Sequence, residues 1–336
     1  MKIVYLYPKS SLVTELRSDT LWGLIAYSLA VLYPDEKVKD FHESYNSGTP
    51  PFLISSVFPF KQKDTQSMPV RFFPKPFLQG SDVKHNSQDK RESLLFLQRL
   101  KKFKKVKLLT EDVFKKFVTG EWDDKAFFES MCWQDSNTDK PHNHEELITH
   151  NTISRHTWTT LDVEQGGEEK TGQLFTTEET FFDQRSGLFF LAKGEQLQYL
   201  FSSLRYLEHI GFGGDISTGK GHFEVKIEDF SLPNPPNASR FLTLSLYSPT
   251  ISEVNLFKAH KDRVFYETVL RKGHLGRNIS ADHLKKPVMM FGEGATFPVK
   301  PGQSFYGKNI VVRPPDRTLT HPVYHYGMAF DIKINA

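Results

Sequence analysis

The sequence predicts an α+β chain of two ferredoxin-like (RRM-like) units carrying inserted loops and hairpins. At 336 residues it is about twice the ~150 residues of an ordinary domain. Each half begins and ends on an apolar, β-branched or aromatic run, and the break LPNPPN at 232–237 separates them. The division expected is therefore 1–231 and 238–336, with a boundary near 232–240 and insertions in the first unit at about 44–120 and 134–183. With 38% hydrophobic and 13% aromatic residues, 29 of them Phe, the chain has material for buried cores and is not a disordered composition.

KIVYLY (2–7) ends at Pro8 and reads as the first strand. Ser18 is placed to cap a helix with Asp19 in its first turn, and Leu21, Leu24, Ile25, Leu29 and Leu32 recur at helical spacing before Pro34 stops the run. Six prolines between 44 and 92 predict strands, turns and extended loop. SLLFLQRLKKFKKVKLL (93–109) reads as a basic helix with Leu94, Leu97, Leu100 and Phe103 as its apolar face; its lysines suit either nucleic acid or solvent. Residues 134–146 and 162–172 are polar and acidic and are expected to form exposed loops around LITHNTISRHTWTT, in a region of hairpins. GQLFTTEETFF (172–182) and GLFFLAKG (187–194) read as strands, EQLQYLFSSLRYLEHI (195–210) as a helix, and GHFEVKIEDF (221–230) as a half-buried strand. In the second unit, FLTLSLYSP (241–249) and YHYGMAFDIKI (324–334) are the expected opening and closing strands.

The net charge of +3 conceals opposed blocks. Lys/Arg and Asp/Glu number five and six over 1–60, fifteen and six over 61–120, four and fifteen over 121–183, and nineteen and thirteen over 184–336. The basic and acidic blocks suggest surfaces for different partners or alternating solvated charge. The single cysteine, Cys132, excludes an internal disulfide and a thiolate zinc cluster and fits a reducing cytoplasm. The amino-terminal apolar run of five residues is shorter than a signal h-region and no membrane span is apparent elsewhere, so a membrane partner is not expected.

The strongest local signal is GFGGDISTGKG, 211–221, with Gly211, Gly213, Gly214, Gly219 and Gly221. Such a loop takes positive φ, approaches another backbone closely and turns N–H groups outward as donors. Gly214 to Lys220 satisfies GxxxxGK, but Gly221 stands where a P-loop has the magnesium-holding Ser/Thr, and the loop runs from helix to strand instead of strand to helix. A structural turn and a grip on a nucleic-acid backbone, helped by Ser217, Thr218, Lys220 and His222, both remain open. His142, His144, His150 and His156 lack metal-ligand spacing, so no metal or cofactor is expected. No GxSxG elbow or Cys132 partner marks a covalent nucleophile.

These pieces, with the opening strand, SDTLWG and the first helix, resemble the RAMP superfamily of CRISPR RNA-binding proteins. FFPKP (72–76), HNTISRHT (150–157), GQLFTTEETFF, FGEGATFP (291–298) and HPVYHYG (321–327) together resemble, within it, the fourth-subunit family of the Csm (type III-A) effector complex. The likeness spans nearly the whole chain and is thinnest over 84–120. It implies a non-catalytic subunit that holds the 5′ handle of the guide RNA (crRNA) and bridges the large signalling/nuclease subunit to the backbone subunits. By the same likeness the handle would meet the Gly-rich loop, the helix start at Arg17, Ser18 and Thr20, and the segment Asn151, Ser154, Arg155, His156 and Thr157. Sugars and phosphates call for main-chain donors and Arg/Lys, and splayed bases for pockets and stacking. Arg17 and Arg155 also fit ordinary surface ion pairs, and the helix dipole alone accounts for Asp19. Two alternatives stand beside this reading. One is a metal-independent endoribonuclease that processes repeat RNA, with His156 or His222 as base; the other is a target-cutting backbone subunit, for which no acidic catalytic residue stands out.

Overall fold

The computed structural model describes residues 1–63, 67–78, 90–130, 143–153, 158–160, 162–163, 169–170, 174–273, 275, 284–315 and 321–335. The chain begins with β1 (Lys2–Pro8), α1 (Ser18–Leu32), α2 (Asp35–Asn46), β2 (Phe52–Ile54), β3 (Phe58–Lys61) and β4 (Val70–Pro74). An inserted module follows, α3 (Lys90–Lys104), β5 (Leu108–Thr110), α4 (Glu111–Thr119) and α5 (Asp124–Ser130). An arm comes next, β6 (His144–Asn151), β7 (Asp162–Val163), β8 (Glu169–Lys170) and β9 (Leu174–Phe181), and the first half closes with β10 (Ser186–Gly194), α6 (Leu197–Ile210) and β11 (Phe223–Asp229). The second half holds β12 (Arg240–Thr243), α7 (Ile251–Ala259), β13 (Thr268–Arg271), β14 (Val288–Phe291), β15 (Thr296–Pro298), β16 (Ile310–Arg313), β17 (Val323–His325) and β18 (Asp331–Ile334).

The fold is mixed α/β with antiparallel sheets. The large sheet runs β11-β1-β10-β3-β4-β5, with β2 also on β10, and the second sheet runs β15-β12-β18. Alternation along β1 sends Val4 and Leu6 to one face and Ile3, Tyr5 and Tyr7 to the other. Helices α1 and α6 pack together and α6 lies on β10 and β11. Helix α4 packs on β4 and β5, its Phe114 stacked on Phe73 at 4.6 Å. Helices therefore cover the sheet at β10 and β11 and at β4 and β5, while on the face that bears Tyr5 and Tyr7 a cavity opens between β1, β4 and β11.

The second sheet is buried on both faces. Leu242, Leu244, Met328, Phe330, Ile332 and Ile334 belong to the core of the first half. Their neighbours Phe241 and Ala329 turn the other way, into a smaller core with Tyr247, Phe257, Phe297 and Tyr306.

Local expectations are corrected at the start of α1, along α3 and in the runs 241–249 and 324–334, and α2 is an addition to them. Ser18 is the first helical residue, and Arg17 occupies the cap position without a side-chain bond to the helix amides. Helix α2 was not legible because DEKVKDFHESYN is polar and buries only Phe41 and Tyr45; it starts directly after Pro34 with Asp35 and Glu36 in its first turn, where acid favours the dipole. In α3 only Phe103 is buried, while Leu94 and Leu97 are 57% and 59% exposed. Residues three apart drift around a helix of 3.6 residues per turn, so Leu94 ends about opposite Phe103. The run 241–249 is a strand only to Thr243, and 324–334 divides into β17 and β18.

Candidate nucleic-acid interface

Glycine closes the base of the 211–221 loop. Gly211 and Gly221 are buried at φ +99° and +70°, and a Cβ on Gly221 would lie 1.9 Å from the Phe212 carbonyl oxygen. That approach lets the Phe212 amide donate to the Gly221 carbonyl at 2.8 Å. Phe212, fully buried, packs edge-on against Phe223 at the start of β11. At the tip, Asp215 takes a left-handed conformation, a 3-10 turn spans Ile216–Thr218, and Ser217, Thr218 and Gly219 are exposed. A Cβ on Gly219 would meet nothing within 4 Å.

The polar segment after β1 holds this loop. The Gly214 amide donates to Thr14 Oγ1 (2.9 Å), the Gly221 amide to the Ser11 carbonyl (2.7 Å) and the His222 amide to Ser10 Oγ (3.0 Å). The amides of Thr218, Gly219 and Lys220 donate within the loop to Asp215 and Ile216. The expectation of outward main-chain donors is therefore corrected at these positions. What the tip offers is three exposed small residues, with the Thr218 hydroxyl donating to the Asp215 carbonyl at 2.8 Å and Gly219 bringing no side chain.

Lys220 also turns inward, donating at 2.6 Å to the buried Glu179 carboxylate on β9, which accepts a second bond from Ser11 Oγ at 2.6 Å. Burial works against that carboxylate's charge, yet the Lys220 and Ser11 bonds more than offset it and hold its pKa below the ordinary value. Beside it, Leu12 and Thr180 exchange two backbone bonds of 3.0 and 2.8 Å. Loop, post-β1 segment and arm are thus one connected support.

The arm pairs β6 with β9 along eight positions, from His144 opposite Phe181 to Asn151 opposite Leu174. His150 stacks on Phe175 at 5.1 Å and its Nε2 lies 2.8 Å from Thr177 Oγ1. Asn151 is exposed at the end of β6. Ser154, Arg155, His156 and Thr157 lie outside the described residues.

The start of α1 is differently employed. Ser18 is fully buried; its amide donates to Ser56 Oγ (3.0 Å) and its own oxygen accepts from the Leu246 amide (3.0 Å). That burial leaves it no surface for direct RNA contact. Arg17 bonds Glu15 at 3.0 Å and faces Glu293 at 3.8 Å. Burial alone would weaken the Arg17 charge, but Glu293 and Glu15 more than compensate and keep it protonated. Arg271 forks onto Asp19 at 2.9 and 3.0 Å and reaches Thr20 Oγ1 at 3.2 Å. These residues join the two halves of the chain.

Sequence reasoning missed Ser10, Ser11, Thr14, Glu179, Glu293 and Arg271. The polar turn SSLVTE after a strand was the one local sign of the first three. Among the described residues no group of His, Cys, Asp and Glu could hold a metal, and no helix is long and apolar enough to cross a membrane.

Residues 236–334 match the family model of the CRISPR Csm4 C-terminal domain. Over 340 aligned residues the chain is 25% identical to the CRISPR system Cms protein Csm4 of Thermococcus onnurineus (strain NA1), covering 98% of this chain and 96% of that protein. Its fold is similar to that in a crystal structure of a Csm3-Csm4 subcomplex of the type III-A interference complex, with TM-score 0.62, 16% identity and full coverage of both chains. It is also similar to a Csm1-Csm4 cassette crystallised with pppApA, with TM-score 0.58, 20% identity and coverage of 99% and 97%.

Proposed function

Taking the chain as the Csm4-like type III-A protein that these matches support, we propose that it is a non-catalytic subunit binding the 5′ handle of the guide RNA. It would contact counterparts of both Csm1 and Csm3, the partners in the similar crystal structures, and so bridge the large signalling/nuclease subunit to the backbone. In this reading 1–231 and 238–336 are two ferredoxin-like units. Support comes from the β11-β1-β10-β3 order with helices after β1 and β10, and from the β15-β12-β18 order with α7 after β12.

One observation carries the RNA assignment: the exposed tip Ser217–Gly219 stands on a base locked to the same post-β1 segment that anchors the arm. A rigid support with an exposed tip of small residues ending on Gly219 suits close approach of a sugar-phosphate backbone. Asn151 and the 154–157 segment would meet the RNA from the arm. The double variant Ser217→Asp/Gly219→Asp adds charge only at the exposed tip. The assembled complex carrying it should lose at least about tenfold of its co-purifying guide RNA, with wild-type binding falling as salt rises. RNA content equal to wild type would overturn the loop assignment.

A further inference from the structure

The Tyr5 and Tyr7 face of the first sheet holds a cavity of about 830 Å³, within the roughly 300–1,000 Å³ of small-molecule pockets. Its floor is Tyr5 and Tyr7 on β1, and its walls come from Arg71 on β4, Lys226 on β11, and Phe181 and Gln184 at the end of the arm. Tyr7 is half-buried and held edge-on to Phe60 at 5.2 Å, so its ring is fixed in place. Arg71 Nε donates to the hydroxyl oxygen of the buried Tyr5 at 2.7 Å, so Tyr7 is the β1 phenol that the cavity presents. Burial raises the pKa of both phenols, so both stay neutral near neutral pH.

The charges around this cavity are matched. Lys226 pairs with Glu228 and Lys9 with Glu224, each at 2.7 Å, and Arg71 pairs with Glu111. A rim of opposed ion pairs has little to attract a run of phosphates. Aromatic faces, amide groups and a phenol donor suit a neutral planar heterocycle with polar edges. The cavity also begins where the Gly-rich loop ends. Lys9, Ser10 and Ser11 line it, and the same residues bond His222 and Gly221 through the Lys9 amide (2.8 Å to the His222 carbonyl), Ser10 Oγ and the Ser11 carbonyl.

We propose that this cavity takes one unstacked base of the RNA strand that crosses the loop, with Tyr7 as the stacking surface. The inference rests on the guide-RNA reading above and adds a second, base-holding site to it.

The test is a crosslinking scan in the reconstituted complex, using guide RNAs that each carry a single 4-thiouridine or 6-thioguanine. One position should crosslink to the β1 peptide containing Tyr5 and Tyr7. Tyr7→Ala should cut that crosslink about tenfold and expose that nucleotide to chemical probing, while Tyr7→Phe stays within about twofold. Met68→Trp gives a second reading without touching the core, because Met68 lies at the cavity rim and is 86% exposed. The added ring should block the same single crosslink. A β1 crosslink that is absent, or unchanged in both Tyr7→Ala and Met68→Trp, overturns the base pocket even if the loop variant strips the RNA. A single-position loss at Tyr7 beside full RNA retention in the loop variant keeps the pocket and overturns the loop. A wild-type complex without RNA overturns both.

Discussion

At the start of α1, Ser18 is fully buried and Asp19 is gripped by Arg271, whereas at the loop tip Ser217, Thr218 and Gly219 face solvent. Both places carry the same local signal, since helix starts and glycine turns hold main-chain donors that suit phosphate. At α1 the second half of the chain has taken the available contacts, through the Leu246 amide, Arg271 and Glu293. In the loop the protein takes the amides, and the Thr218 hydroxyl donates to the Asp215 carbonyl at 2.8 Å, but the backbone of the tip stays exposed. A local signal for anion binding thus says where donors lie, and only the long-range fold says whether another part of the chain already uses them.

The largest effect that sharpens this contrast lies within the loop. Gly221→Val places a side chain against the Phe212 carbonyl at a left-handed φ, and we expect a loss on the order of 3–5 kcal/mol, read as a lower denaturant midpoint. Next is Arg271→Ala, which strands the buried Asp19 carboxylate. We expect about 3 kcal/mol by the same measurement, with RNA content changed less than by the tip variant.

A smaller separation comes from pH. Burial pushes His42 down to about 4; His325 is also pushed to about 4, by burial first, against the opposing pull of Asp19. The unfolded chain takes up protons on them below about 6.5 while the folded chain does not, so stability falls as pH drops from about 6.5 towards 4. His42→Phe, which keeps a ring against Tyr324, should remove about 2 kcal/mol of that loss. Glu179 acts in the same direction but in a lower window: its depressed pKa contributes stability above about 4.5 that is lost only as pH falls further, so hydrogen exchange at pH 5 should leave the loop base protected. The smallest effect is Gly219→Ala, in open space at positive φ, at about 1 kcal/mol.

What could be read locally was read well where the hydrophobic period is regular. Helix α6 is found at Leu197–Ile210 with Leu200, Leu204 and Leu207 buried, and β1, β9, β10 and β11 coincide with their alternating or apolar runs. Helix α3 exists as read, but leucines at intervals of three cannot all share one face. The loop was visible from its glycines, while its support was not, because Thr14 and Glu179 reach it from distant parts of the chain. A buried carboxylate on a solvent-facing arm leaves no trace in periodicity.

The two-sided burial of the second sheet has a kinetic consequence. The core that starts at Ile3 and Val4 is completed by Leu242, Phe330, Ile332 and Ile334. Its closing contacts therefore join segments far apart in sequence, a topology of high contact order in which loop closure precedes any reward from burial. Refolding should be slow, and an early intermediate should hold the first half with an uncovered apolar wall, sticky to hydrophobic dyes until β12 and β18 dock.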